Sequence, residues 1–360
     1  MSIRPSTTRV WKRLAFYRPL LGLIGLALTL SLGGCRCLKG PVNDSPSFRW
    51  WLFANFGAER ICPEVTQRGV GLSLVDGGPK VGRFFPTGCK TEVHGQTQTI
   101  TVTFWGAGYA YTPVARRVGF DVRGAVELRP DFRFEEDHLY AWAVFNRMVD
   151  GPHFTIRAVE NGVVGLAANV LPVNALGDQI VKSELARGFT VLHDWNDGGN
   201  SFSLGIIRPP NRPRSPYDLD RDEALTVASE VIEIQTGQRD FLGPIEVVDA
   251  DQAIALRMTL RGPPVEVLVV NAPTAYGWRT TYQQGLTLPI PGPLYGASPI
   301  QPGPEVRPRF TVPPGRYWIV VDHTANAGRV EPPPPNLLDP TGVMSSSVAR
   351  LSYALQLVDE

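Results

Sequence analysis

Apolar and polar residues alternate along most of this chain, which predicts a mainly β protein. Ile100, Val102 and Phe104 alternate with Thr99, Thr101 and Thr103, the pattern of a half-buried strand with its threonines toward water. Val118, Phe120, Val122, Val126 and Leu128 keep one parity, while Asp121, Arg123 and Glu127 keep the other. Asp76-Gly77-Gly78 and Asp197-Gly198-Gly199 supply hairpin turns, because glycine tolerates the positive φ that such turns need. The period changes in Asn174–Gly188, where Leu176, Ile180, Val181 and Leu185 fall at helical spacing and Gly188 suits a helix C-terminus. This predicts an amphipathic helix laid across a sheet. Phe48–Phe56 holds five aromatic residues. It reads either as a first helix folded into the core or as an aromatic contact with a membrane, in which Trp50, Trp51 and Phe53 are the candidates.

Residues 208–216 carry four prolines, which remove donors and fix φ, so the stretch is neither a central strand nor a helix interior. It divides the chain into a β-rich domain over 48–206, a linker over 207–222 and a second domain over 223–360. In the second, Ile254, Leu256, Met258 and Leu260 face away from Ala253, Ala255, Arg257 and Thr259. A buried run follows at Val265–Val270. Pro313-Pro314-Gly315-Arg316 fits a type II turn that feeds Tyr317–His323. The last strand sets Ala349, Leu351, Tyr353, Leu355 and Leu357 against Arg350, Ser352 and Gln356. About eight strands in this length make a sandwich. The proline-rich stretches 289–314 and 331–336 are expected to be extended surface loops.

Gly262-Pro263-Pro264 leading into Val265–Val269, together with Pro314-Gly315-Arg316 leading into Tyr317–Asp322, resembles jelly-roll domains of the bacterial pre-peptidase C-terminal and GOLD types. The likeness covers about 120 residues of turn-plus-strand signature. It implies a jelly-roll-like β-sandwich that serves interaction or targeting.

The N-terminus supplies an address. Arg4, Arg9, Lys12, Arg13 and Arg18 precede a nearly continuous apolar run from Leu20 to Gly34. That run is short for a membrane span, which needs roughly 20 residues, and it reads as a secretory signal. Leu32-Gly33-Gly34-Cys35 resembles the lipobox of bacterial lipoproteins. The resemblance implies cleavage before Cys35, diacylation of its thiol and acylation of the new amino terminus. Such chains anchor a protein without a transmembrane helix. Arg36, rather than Asp, follows the cysteine, which implies the outer membrane. Residues 35–47 then read as a short tether.

Cleavage removes five positive charges and no negative ones, moving the formal net charge from +1 to −4. The mature chain therefore has no general attraction for nucleic acid or anionic lipid. Of the four cysteines, Cys35 carries lipid, and Cys62 and Cys89 are expected to pair in an oxidising compartment.

Candidate chemistry is sparse. The sequence has no G-x-S-x-G elbow, phosphate-binding glycine loop or H-E-x-x-H pair. His94, His138, His153, His193 and His323 stand apart from one another. Asp218, Asp220 and Asp222 begin like a calcium loop, with carboxylates at alternate positions. The pattern then departs, with Glu223 where a turn glycine is expected and Ser229 at the closing position. No cofactor is expected beyond that calcium candidate. The expectation is a non-catalytic, lipid-anchored envelope protein, an accessory subunit presenting β surfaces to a partner. The alternatives are a lipid carrier built on 48–206, and a hydrolase whose residues converge only in the fold.

Overall fold

The structure, a computed structural model, describes residues 39–75, 77–112, 116–135, 138–160, 182, 184–195, 200–212, 216–217, 224–332 and 348–359. The protein is mainly β. The lipobox, Cys37, Asp218, Asp220, Asp222 and most of the expected helix 174–187 lie outside those residues.

The first half opens with helices α1 (Lys39–Asp44) and α2 (Pro46–Leu52), a π-helical turn (Phe53–Gly57) and helix α3 (Ala58–Gln67). Lys39–Asp44, within the stretch read as tether, is thus helical. Ser45 caps α2 by accepting a hydrogen bond from Phe48 N, and Pro46 takes the first turn, where its missing N–H is no loss. A short strand β1 (Val70–Ser73) follows. A meander of long antiparallel strands comes next: β2 (Lys80–His94), β3 (Thr99–Thr112), β4 (Arg116–Phe134), β5 (His138–Val159), β6 (Phe189–Asp194) and β7 (Asn200–Leu204).

One face of this sheet carries Phe84, Ile100, Val102, Phe104, Phe120, Val122, Val126 and Leu128, all buried against Ile61, Trp50, Phe53, Val65 and Leu185. The parity predicted for β3 and β4 is therefore observed. Thr99 and Thr101 are buried as well, not turned to water: Thr101 Oγ1 meets His94 Nε2 at 2.8 Å and Thr99 Oγ1 meets Thr97 Oγ1 at 2.7 Å. Within the expected helix, Glu184–Ala186 is helical and Gly188 ends it with φ +64°, as its position predicted.

The second half is a jelly roll. Its strands are β8 (Ala224–Gln235), β9 (Gln238–Val247), β10 (Gln252–Arg261), β11 (Val265–Asn271), β12 (Leu294–Ile300), β13 (Arg309–Thr311), β14 (Gly315–His323) and β15 (Val348–Asp359). They pair antiparallel as β8·β15, β9·β14, β10·β13 and β11·β12, the nested ribbon that defines the roll. The two resulting sheets, β13-β10-β15-β8 and β12-β11-β14-β9, enclose the core of Ile254, Leu256, Met258, Leu260, Val265, Val267, Ile319, Val321, Leu351 and Tyr353. β12 and β13 occupy proline-rich sequence that alone suggested loops. Both are edge strands, where a residue without an N–H is tolerated.

The halves share a sheet. Lys80 of β2 pairs in parallel with Ile232 of β8, which joins the meander to one side of the roll. The outer face of the other roll sheet (Phe241, Leu268, Val270, Trp318, Val320) is covered by helix α4 (Ala272–Gln283) and by Phe85 and Tyr109 from the meander.

Candidate functional site

The sequence-predicted residues fall in different places. Cys62 of α3 and Cys89 of β2 form a disulfide, as expected. Trp50 and Phe53 stack at 6.2 Å and pack against the first core. Trp51 points outward with 51% of its surface exposed, beside Phe48. Among the described residues no group of three or more His, Cys, Asp and Glu side chains gathers, and no helix is long and apolar enough to cross a membrane. His153 pairs with Asp150 at 2.8 Å, and His323 is buried at the end of β14, where burial pushes its pKa below the ordinary histidine range.

The densest polar chemistry lies where the halves meet, and sequence reasoning missed it. Arg83, on the second face of β2, directs Nε and Nη2 at the two carboxylate oxygens of Asp240 on β9, at 3.1 and 2.8 Å. Nη2 also reaches Glu230 Oε2 of β8 at 2.8 Å. Tyr109 of β3 donates to Asp240 Oδ1 at 2.5 Å, and Tyr353 of β15 donates to Glu230 Oε2 at 2.8 Å. The node thus ties β2 and β3 of one half to β8, β9 and β15 of the other. Burial opposes ionisation of Asp240, but the Arg83 guanidinium and hydrogen bonds from Arg83, Tyr109 and the Phe241 amide prevail and hold its pKa below the usual carboxylate value. Burial and then the Asp240 charge push the Tyr109 hydroxyl well above its ordinary pKa.

A second arginine cluster surrounds α4. Asn271 caps this helix by accepting from Thr274 N at 3.0 Å. Arg239 and Asp322, both fully buried, meet at 2.8 Å, and Arg239 also donates to Leu288 O and Thr324 Oγ1 while lying 4.3 Å over the Trp278 ring. Burial raises the Asp322 pKa to about 6, although Arg239 and Thr324 oppose it. Burial likewise lowers that of Arg239. Arg117 of β4 crosses from the first half, donating to Gly285 O at 2.7 Å and Thr287 Oγ1 at 3.0 Å with its guanidinium 4.0 Å over Tyr282. Arg279 of α4 lies 4.1 Å over Phe85. Close approach is built into the backbone here: a Cβ added to Gly119 would fall 1.8 Å from the Gln283 carbonyl oxygen.

Arginine, which keeps its charge, is set against carboxylates, carbonyls and aromatic faces at this junction. That chemistry positions and locks. The signal available in sequence was slight: Asn271 followed by Pro273 marks a helix start, and Arg83 stands between apolar neighbours on a strand.

No family model matches this chain, and no curated protein matches it. Among solved structures, it is similar to a glycoside hydrolase family 43 arabinoxylan arabinofuranohydrolase from Bacillus subtilis in complex with cellotetraose, at 8% identity and TM-score 0.22. That alignment covers 76% of this chain and 66% of the hydrolase chain. It is also similar to a structure of infectious bursal disease virus Gt strain, at 11% identity and TM-score 0.17, covering 81% of this chain and 76% of that one. At these TM-scores neither neighbour informs on fold or activity.

Proposed function

We propose that this protein is a lipid-anchored component of a bacterial envelope, held in the outer membrane through acylated Cys35, and that its role is structural or recognition-based rather than catalytic. It acts as an accessory subunit, presenting the surfaces of its two joined halves to a protein partner. The observation that carries this reading is the Cys62–Cys89 bridge, which fastens the helices nearest the anchor to the meander. Such bridges persist in oxidising compartments outside the cytosol, where a lipobox sends its protein. The buried arginines support a structural role, since each is committed to holding parts of the fold together.

Two experiments test it. Cys35→Ser abolishes palmitate incorporation and leaves the precursor uncut; normal labelling of this variant refutes the anchor. Crosslinking in the native envelope, followed by affinity capture and mass spectrometry of proteins and lipids, returns a stoichiometric protein partner. Co-purified lipid without such a partner overturns the subunit role in favour of a carrier.

A further inference from the structure

The aromatic residues of α2 and the π turn sort onto two sides. Trp50 and Phe53, three residues apart, stack together and enter the first core. Phe48 and Trp51, also three apart, stack at 5.8 Å with planes only 7° from parallel, and Phe56 meets the Trp51 ring edge-on at 5.9 Å. The π turn makes this third contact possible, because its wider i, i+5 spacing brings position 56 back to position 51. Trp51 is 51% exposed and Phe48 43%. The result is a continuous aromatic surface in which Phe48 and Trp51 are exposed and Phe56 is half-buried beside them.

This surface is held rigidly. Arg49 makes a two-pronged ion pair with Asp131 of β4, at 2.7 and 3.2 Å. Asn43 exchanges hydrogen bonds with the backbone of Phe134 at 2.8 and 2.9 Å. Cys62–Cys89 pins α3 immediately afterwards. Two exposed rings, with the half-buried Phe56 against one of them, on so fixed a support do nothing for the core that Trp50 and Phe53 do not already do.

We propose that Phe48, Trp51 and Phe56 form an aromatic foot that rests in the headgroup layer of the lipid bilayer, beside the acylated Cys35. This rests on the lipid-anchor reading. The occupant follows from the chain length. From Cys35 to Phe48, even with the first four residues fully extended, the chain reaches about 30 Å once α1 rises at its helical pitch. A tether that short holds the patch at an effective concentration in the roughly millimolar range relative to the membrane. Tryptophan and phenylalanine rings favour the interface between headgroups and acyl chains. The foot converts a single flexible attachment into a fixed orientation, with α2 facing the bilayer and the jelly roll held away from it.

The test uses the acylated protein purified from membranes, with mass spectrometry of its N-terminal peptide to verify the lipid. It is reconstituted into phosphatidylethanolamine–phosphatidylglycerol vesicles containing brominated acyl chains, which quench nearby tryptophan. The wild type is quenched, Trp51→Ala loses most of that quenching, and Trp105→Ala, which removes an exposed tryptophan of β3, keeps it. Phe48→Ser with Phe56→Ser leaves the Trp51 reporter in place and weakens its quenching. An acylated protein whose quenching is unaffected by Trp51→Ala overturns the foot while leaving the anchor intact. An N-terminal peptide without lipid overturns both. A protein crosslinked through position 51 in native envelopes, with no bromolipid quenching, overturns the foot in favour of a protein contact.

Discussion

The two buried arginine–aspartate pairs respond to burial in opposite ways. At the Arg83 node both partners are driven toward their charged forms: Asp240 is held low and Arg83 high. At Arg239–Asp322 burial wins on both sides, raising the acid and lowering the base. Arg83 faces two carboxylates, Asp240 and Glu230, and each accepts a tyrosine hydroxyl as well. Arg239 faces one carboxylate, and its other contacts are a carbonyl, a hydroxyl and the rings of Trp278 and Tyr282. A buried pair recovers its desolvation only when further charges and hydrogen bonds surround it. The favourable node is the one that spans the two halves. The strained one lies within the roll, beneath α4.

The largest effect should come from breaking the favourable node. Asp240→Ala leaves Arg83 with Glu230 as its one carboxylate partner and should lower stability by about 3–5 kcal/mol, read from urea unfolding. A loss below about 1 kcal/mol would mean the node contributes little. Next is the disulfide, which stabilises the first half without touching either pair. With its cysteines separated by 27 positions in sequence, Cys62→Ser with Cys89→Ser should cost about 3–4 kcal/mol by the chain-entropy argument. In the wild type both thiols should resist alkylation until reduced.

The third effect separates the pairs by pH. The folded-state pKa of Asp322, about 6, lies above its ordinary value of 3.8, so the folded state binds the proton more tightly than the unfolded chain. Its contribution is fully present below about pH 4 and is lost as pH rises through about 6, an effect of at most about 3 kcal/mol. Asp240 has the opposite sign: its contribution is present above the ordinary carboxylate pKa and lost as pH falls through its depressed value. Asp322→Asn should therefore flatten the stability curve between pH 4 and 6, and an unchanged slope there would contradict the assignment. The smallest effect is at Arg117, whose partners are uncharged. Arg117→Lys removes the forked hydrogen bonding and weakens the stacking on Tyr282, for about 1–2 kcal/mol.

Much of the fold was legible because most strands bury one face. Period-two spacing located Ile100–Phe104, Ile254–Leu260 and Ala349–Leu355, and the pairing of Cys62 with Cys89 followed from compartment and elimination. What escaped was buried on both faces or held by distant partners. Thr99 and Thr101 look polar, yet they are covered and satisfied by neighbouring polar side chains. Ala272–Gln283 contains proline, glycine, three threonines and three aromatic residues, few of them strong helix formers, so only its cap announced it. Arg83 and Asp240 are 157 residues apart, and no local pattern links them. The aromatic cluster was visible as a cluster. Which rings turn outward depended on the face of α2 that packs against the core, and the Phe56 contact on the π turn, neither of which the sequence reveals.

The Arg83 node ties the halves into one unit, so that whatever binds one surface meets the other in a fixed relation. Native-state hydrogen exchange tests it most directly, by comparing amides of β3 and β4 with those of β11 and β14 in the wild type and in Asp240→Ala. In the wild type the slowest amides of both halves should open with the same free energy. In the variant, the meander should exchange at a lower free energy than the roll. Halves that already exchange independently in the wild type, or a variant in which both weaken equally, would contradict it.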